Sequence, residues 1–403
     1  MPSAEPWEEW VRLPGRIASL PLVALGYAAE RGLTAAERTS FVQGLISQSF
    51  QGARLPILGD IGVSLGASSL GPRTGLGGRV RFSPPWLDPL LALELSGSTR
   101  KYNRTRVLLH RGPAQAEYVY DWRPEEPFFG LGLQSSADAT SAFASQSQLA
   151  RISVAYPWRE DGWLPPVIRA GAWLGTREMV PRTGRESGVA SFDRRFPALS
   201  APTLNRKFEH LLYGARLSYD TRSGSPHWDS GAWVSIQADR FDKPVRSLSF
   251  SEPGPASPQF TRFTYEAATV WSFMRSPRTL RPSIKLVDTR YNGPANLFLI
   301  PDFATLGGGV GLEGFETGRY HDFDAAVGRL TYLFPLERSL EFDLHAEAGG
   351  VYSDLWNDLQ ISTLKGSYGA ALRVIPKSSV AATIGVDWSA EAVRFVFQLG
   401  GKE

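Results

Sequence analysis

The sequence predicts an all-β fold, a transmembrane antiparallel β-barrel of about sixteen strands with a short N-terminal helical segment, and three observations predict it. Glycine (40 residues), proline (29) and aromatics (12%) are plentiful and cysteine is absent, a balance that favours many strands and turns over a helical enzyme. Segments of about ten residues alternate apolar and polar side chains. In LEFDLHAEAGG, for instance, Leu340, Phe342, Leu344, Ala346 and Ala348 share one face, while Glu341, Asp343, His345 and Glu347 share the other. Finally, no window approaches the roughly 20 uncharged apolar residues of a spanning helix. The alternation alone does not say which face is wet: a soluble sandwich buries the apolar face, and a barrel turns it to lipid over a polar lumen.

In chain order, residues 1–58 read as helical and residues 59–403 as the barrel. Helices are expected at 16–31 and 35–49, the second opened by Thr34 with Glu37 three residues on, the spacing of a capping box. The apolar run IASLPLVALGYAA (17–29) is too short to span and contains Pro21, and the acidic PWEEW before it makes it a poor signal peptide. A targeting segment is therefore expected to have been removed already. Leu20, Leu22, Val23, Leu25 and Tyr27 give the first helix an apolar surface that something must cover. Strands follow at 59–69, 75–84, 89–98, 104–112, 115–122, 142–156, 165–177, 206–221, 228–241, 259–273, 279–290, 318–335, 338–352, 364–375, 379–388 and 391–400. RPSIKLVDT sets Pro282, Ile284 and Leu286 against Arg281, Ser283 and Lys285, and AVRFVFQLG sets Val393, Phe395, Phe397 and Leu399 against Arg394 and Gln398. Aromatics at segment ends, Trp228 and Phe241, Trp271 and Phe273, Tyr332 and Phe334, suit the girdles where a barrel meets headgroups. The long gaps 178–205 and 291–317 read as extracellular loops.

Several functions are disfavoured. Lys and Arg total 43 against 40 for Asp and Glu, a net charge of +3 with both signs dispersed, so no clustered basic face points to nucleic acid. Without thiols there is neither a disulfide framework nor a Cys-ligated metal. The five histidines, His110, His210, His227, His321 and His345, show no metal-ligand spacing, although His345 between Asp343 and Glu347 reads as part of a polar lumen cluster. Gly62-Val63-Ser64-Leu65-Gly66 fits a nucleophile elbow but lies in the first strand with no following helix. No catalytic residue is assigned, and the chain is not expected to be an enzyme.

In GGGVGLEGF (307–315), Gly309, Gly311 and Gly314 satisfy G-x-G-x-x-G. A dinucleotide loop needs a helix after it, whereas ETGRYHDFDAAVGRLTYLFPL continues here as a turn and an amphipathic strand, so no helix N-terminus receives a pyrophosphate and no cofactor is expected. Other features gather around the stretch. Gly307 and Gly308 precede the tetrad Leu312-Glu313-Gly314-Phe315, then the turn Gly318-Arg319-Tyr320-His321-Asp322 and the corner Phe334-Pro335-Leu336. HAEAGGVYSD (345–354), SYGAALRVIP, IGVDWSAEAVRFVFQLGGKE and PFFGLGLQSS (127–136) complete the pattern. Together these resemble the BamA/TamA outer-membrane assembly superfamily, which includes the two-partner secretion transporters; the loop resembles its sixth extracellular loop.

The resemblance implies a barrel in the bacterial outer membrane that inserts or translocates proteins, or moves lipids. Two departures qualify it. The superfamily's tetrad carries an Arg that reaches into the lumen and pairs with acids on the wall, whereas this chain has Glu313, facing the acidic position Glu347. Two carboxylates close together repel or share a proton. Arg319, Arg329 or Arg394 then supplies the missing cation, or Glu313 faces water. The second departure is the absence of a recognisable POTRA module: the 58 residues before the first strand read as a periplasmic helical segment, expected to plug the pore, lie among headgroups or dock a partner. Outer-membrane lipids and other envelope proteins, met through those helices or the loops, are the expected partners. The alternative is a non-transporting structural barrel that anchors or scaffolds an envelope complex, and a third class is a lipid-modifying enzyme.

Overall fold

The computed structural model describes residues 62–399 apart from 69, 71–73, 75–76, 89, 158–167, 185, 187, 223–229, 244–256, 274–277, 338–339 and 376–381. The helices expected at 16–31 and 35–49, and Trp228 of the expected girdle, lie outside the described residues.

Nineteen strands form among the described residues. The wall strands are β1 (Val63–Ser68), β2 (Gly77–Phe82), β3 (Leu91–Ser98), β4 (Asn103–Arg111), β5 (Ala114–Phe128), β6 (Ser141–Pro157) and β7 (Ile168–Thr183). The short β8 (Ala190–Ser191) is followed by β9 (Phe208–Asp220), β10 (Ser230–Asp242), β11 (Phe260–Phe273) and β12 (Arg278–Arg290). Beyond the two short strands β13 (Ala304–Leu306) and β14 (Tyr320–Asp322), the wall resumes with β15 (Asp324–Glu337), β16 (Leu340–Tyr352), β17 (Lys365–Val374), β18 (Ala382–Ser389) and β19 (Val393–Leu399). With β8, β13 and β14 set aside, each wall strand pairs antiparallel with the next, and each expected strand has a counterpart among them.

The wet face is settled by burial. In β16, Glu341, Asp343, His345 and Glu347 are buried, whereas Leu344, at 41% exposure, is turned outward. The same inversion recurs at Ile152, Leu174, Leu217, Ile236, Ile284, Phe395 and Phe397, all exposed on strand exteriors. A soluble sandwich would reverse it; an apolar outside around a polar inside is the arrangement of a barrel wall in lipid. Inward charges are paired across strands: Glu117 of β5 receives Arg106 of β4 at 2.7 Å and Arg151 of β6 at 2.5 Å.

The structure corrects several readings. Among the described residues no register joins β19 back to β1, two of the shortest wall strands at seven and six residues. The strand read at 318–335 is broken at Phe323: β14 turns to pair with β13, and β15 starts at Asp324, whose carboxylate accepts the backbone N–H of Thr289 at 2.6 Å and of Leu355 at 2.8 Å. Phe323 leaves the strand because its ring joins Phe298 and Phe303, at centroid distances of 5.1 and 5.2 Å. Strand β5 runs on to Phe128 through an irregularity between Arg123 and Glu126, and β15 has another between Pro335 and Glu337, where proline has no N–H to donate. Phe241 is not a girdle residue, because it is buried on the inner face against Phe260; Phe334 lies on the outward face with Tyr332 and packs on Phe342. The gaps at 178–205 and 291–317 are structured, the first by β8 and helices Phe192–Arg195 and Pro197–Ser200, the second by short 3-10 turns and β13.

The hydrophobic core lies inside the wall at the rim that carries the long connections. One cluster joins Phe128, Phe143, Phe192 and Ile300, and another Leu212, Phe241, Phe260, Phe298 and Phe303. Loop side chains fill the lumen there as a core fills a soluble domain.

If Ile236, midway along β10, faces hydrocarbon, then Ile236→Lys should cost about 2–4 kcal/mol in reversible unfolding from lipid. An exposed position on a soluble protein would tolerate the same change with little effect, and that outcome would refute the lipid-facing exterior.

Candidate functional site: the loop held in the lumen

Residues 304–322 form a compact unit. β13 and β14 pair from Ala304↔Asp322 to Leu306↔Tyr320, closing a loop whose N–H groups at Gly307 and Gly308 reach the carbonyls of Gly311 and Leu312. Gly307 has φ of +118°, and a Cβ there would overlap the Glu316 carbonyl oxygen, so only glycine fits. Leu312 adopts φ of +59°, costly for a branched side chain, and is fully buried. Burial offsets the strain: Leu312 and Phe315 pack with Leu306, Tyr320, Ala325 and Val351, and Val287 and Val327 of the inner wall close over them. Gly314 approaches the far wall so closely that a Cβ would overlap the Trp388 carbonyl.

Glu313 is drawn to the wall. Its Oε1 lies 2.9 Å from Arg329, which also holds Glu347 at 3.1 Å. Glu347 in turn accepts the backbone N–H of Glu313 at 2.5 Å and the Ser367 hydroxyl at 2.9 Å. Thus the two acids do not oppose one another bare: Arg329 stands between them, and one hydrogen bond joins them through the backbone. Oε2 of Glu313 points to His345 Nε2 at 3.6 Å, and that ring bridges Asp343 at 3.0 Å and Asp387 at 2.9 Å. With its side chain 11% exposed, Glu313 does not face open water.

The other two candidate cations lie elsewhere. Arg394 donates to the Phe315 carbonyl, which holds the loop backbone, and stands across from Asp387 in the β18–β19 register. Arg319 is buried and makes a second attachment: it grips Glu391 at 2.7 and 3.0 Å and donates to the Ser135 hydroxyl and carbonyl at 2.8 and 2.6 Å. Its guanidinium also lies over Phe129 and Tyr320, 5.3 and 4.5 Å from the ring centroids. Glu391 sits on the β18–β19 hairpin and Ser135 in the β5–β6 connection, so Arg319 gathers three loops. Sequence reading missed Glu391, Ser135 and Asp387; the segment 127–136 was the one signal, since it supplies Phe129 and Ser135. It also missed that Glu313, His345 and Asp387 bring ligand atoms within 4.8 Å of one another, because they come from three distant segments.

His321 is enclosed against Phe128, ring centroids 5.0 Å apart, and burial pushes its pKa down from 6.5 to about 3. The opened loop takes up a proton that the closed loop refuses.

An apolar exterior, a charged interior and a self-inserted loop define the class: this is a transmembrane β-barrel, the architecture of the bacterial outer membrane. No family model matches the sequence, and no curated protein matches it. Among solved structures, CdiB from Acinetobacter baumannii has a TM-score of 0.51 at 12% identity, covering 81% of this chain. CdiB from Escherichia coli scores 0.49 at 12% identity, with 84% of this chain and 60% of that one covered. The chain has the barrel fold of the Acinetobacter protein and spans 57% of its length.

Two measurements test this geometry. Glu313→Arg sets a positive charge against Arg329 and removes one of the two acids that Arg329 holds, and is expected to destabilise the barrel by about 3 kcal/mol in denaturant titration, with Arg329→Glu in the same chain recovering part of it. A neutral single variant would show the loop to be unattached. For His321, loop stability is complete above pH 6.5 and falls as pH drops toward 3, so protease cleavage within 307–318 should rise on acidification, and less steeply in His321→Gln.

Proposed function

We propose that this barrel translocates or inserts polypeptide, or moves lipid, across the outer membrane, in the manner of the BamA/TamA superfamily, and that it is not an enzyme. The observation that carries the reading is the loop itself. A segment folded into the lumen and tied to the wall by polar contacts, through Arg329 on one side and Arg319 on the other, is a closure that can be released without unfolding the strands. A purely apolar plug would share the core's cooperativity. The sequence resemblance centred on residues 307–322 points the same way, and the likeness of fold to CdiB from Acinetobacter baumannii is compatible with it. Outer-membrane lipids and envelope proteins are the partners proposed, the latter reached through residues 1–58 or the loops.

The aromatic clusters that fill one end of the lumen favour a second reading, a closed barrel that serves as an anchor or scaffold. A photo-crosslinking residue at the lumen-facing position of Lys285, compared in living cells with one at outward-facing Ile284, separates the two. Polypeptide or lipid trapped at 285 and not at 284, together with raised bilayer conductance on Arg319→Ala, supports passage. A lumen that traps nothing and a conductance unchanged by that variant support the scaffold.

A further inference from the structure

We propose that Glu313, His345 and Asp387 form a binding site for one divalent first-row metal ion of the zinc type, which fastens the loop to the wall. This site is independent of what the barrel carries.

The three donors converge from a loop and two strands. Asp387 Oδ1 and Glu313 Oε2 lie 2.9 and 3.6 Å from His345 Nε2, and all three ligand atoms fall within 4.8 Å. Zn²⁺ bonds of about 2.0–2.2 Å to N and O place tetrahedral donors roughly 3.3–3.6 Å apart, so closing on an ion requires one carboxylate to move by about 1 Å. His345 and Asp387 are nearly sealed from solvent, at 7% and 2% exposure. One imidazole with two carboxylates is a donor set for zinc and its neighbours in the first row.

The surroundings orient each ligand. Asp343 lies 3.0 Å from His345 Nδ1; accepting that N–H leaves the Nε2 lone pair for the metal, the arrangement that second-shell carboxylates impose on ligating histidines. Arg329 occupies Oε1 of Glu313 and leaves Oε2 turned to the site. Space comes from Gly369, where a Cβ would stand 2.6 Å from His345 Nε2 and overlap Asp387 Oδ1. Metal entry displaces any proton on Nε2 to solvent, and no redox step is involved.

The test uses the full chain folded in detergent, stripped with chelator and titrated with Zn²⁺ and Co²⁺. One equivalent per chain is expected, with the visible absorption of tetrahedral Co²⁺ and slower protease cleavage of residues 307–318. His345→Gln and Asp387→Asn should each weaken binding at least about 100-fold, and Asp343→Asn by about 10–100-fold. Exposed His110→Gln should change nothing. Absence of stoichiometric binding by the wild-type barrel overturns the proposal whatever the variants do, and binding that survives His345→Gln, in a variant whose heat-dependent gel mobility shows it folded, overturns it equally.

Discussion

The wall's outer face must be apolar, and everything else follows from that constraint. In lipid no water satisfies a charge, so residues such as Leu344 and Ile236 take the outside and the alternate positions carry the polar side chains inward. An inward charge sits in a confined space where an unpaired ion is expensive, so it must find a partner across the strands. The ladder from Arg106 through Glu117 to Arg151 is one answer. The loop is another: it brings an acid to a wall position where Arg329 already faces Glu347.

That arrangement inverts the polarity implied by the resemblance. There an Arg on the loop meets acids on the wall; here Glu313 on the loop meets Arg329 and the neighbourhood of His345. The backbone does not need the charge to have a particular sign. Leu312 and Phe315 supply the apolar insertion and Gly314 the close approach, so the position between them tolerates either charge provided the wall carries the opposite one. Glu347 keeps a role in both schemes, here by receiving the Glu313 backbone N–H.

The two attachments also divide the work. The Glu313 contacts lie on β15 and β16, and the Arg319 contacts reach the β18–β19 hairpin and the β5–β6 connection, so the loop is held by strands at one site and by other loops at the second. Loops are softer than a paired ladder, because fewer buried contacts fix them.

Sequence by itself determined the wall. Period-two alternation is a local property, so strands such as 208–220 and 340–352 were legible within a few residues, and the sixteen wall strands with them. The compact loop was legible through its glycines and the tetrad around Glu313. What only the tertiary structure decided was long-range: which face meets lipid, since alternation is blind to sign; and that Phe323 breaks a strand to join an aromatic cluster. It also decided that Arg319 reaches Glu391, 72 residues away, while Arg329 takes Glu313. A charge pattern along the chain names the ions present, but pairing is fixed by strand register and by where a loop lands, and both are set only once the wall has curved.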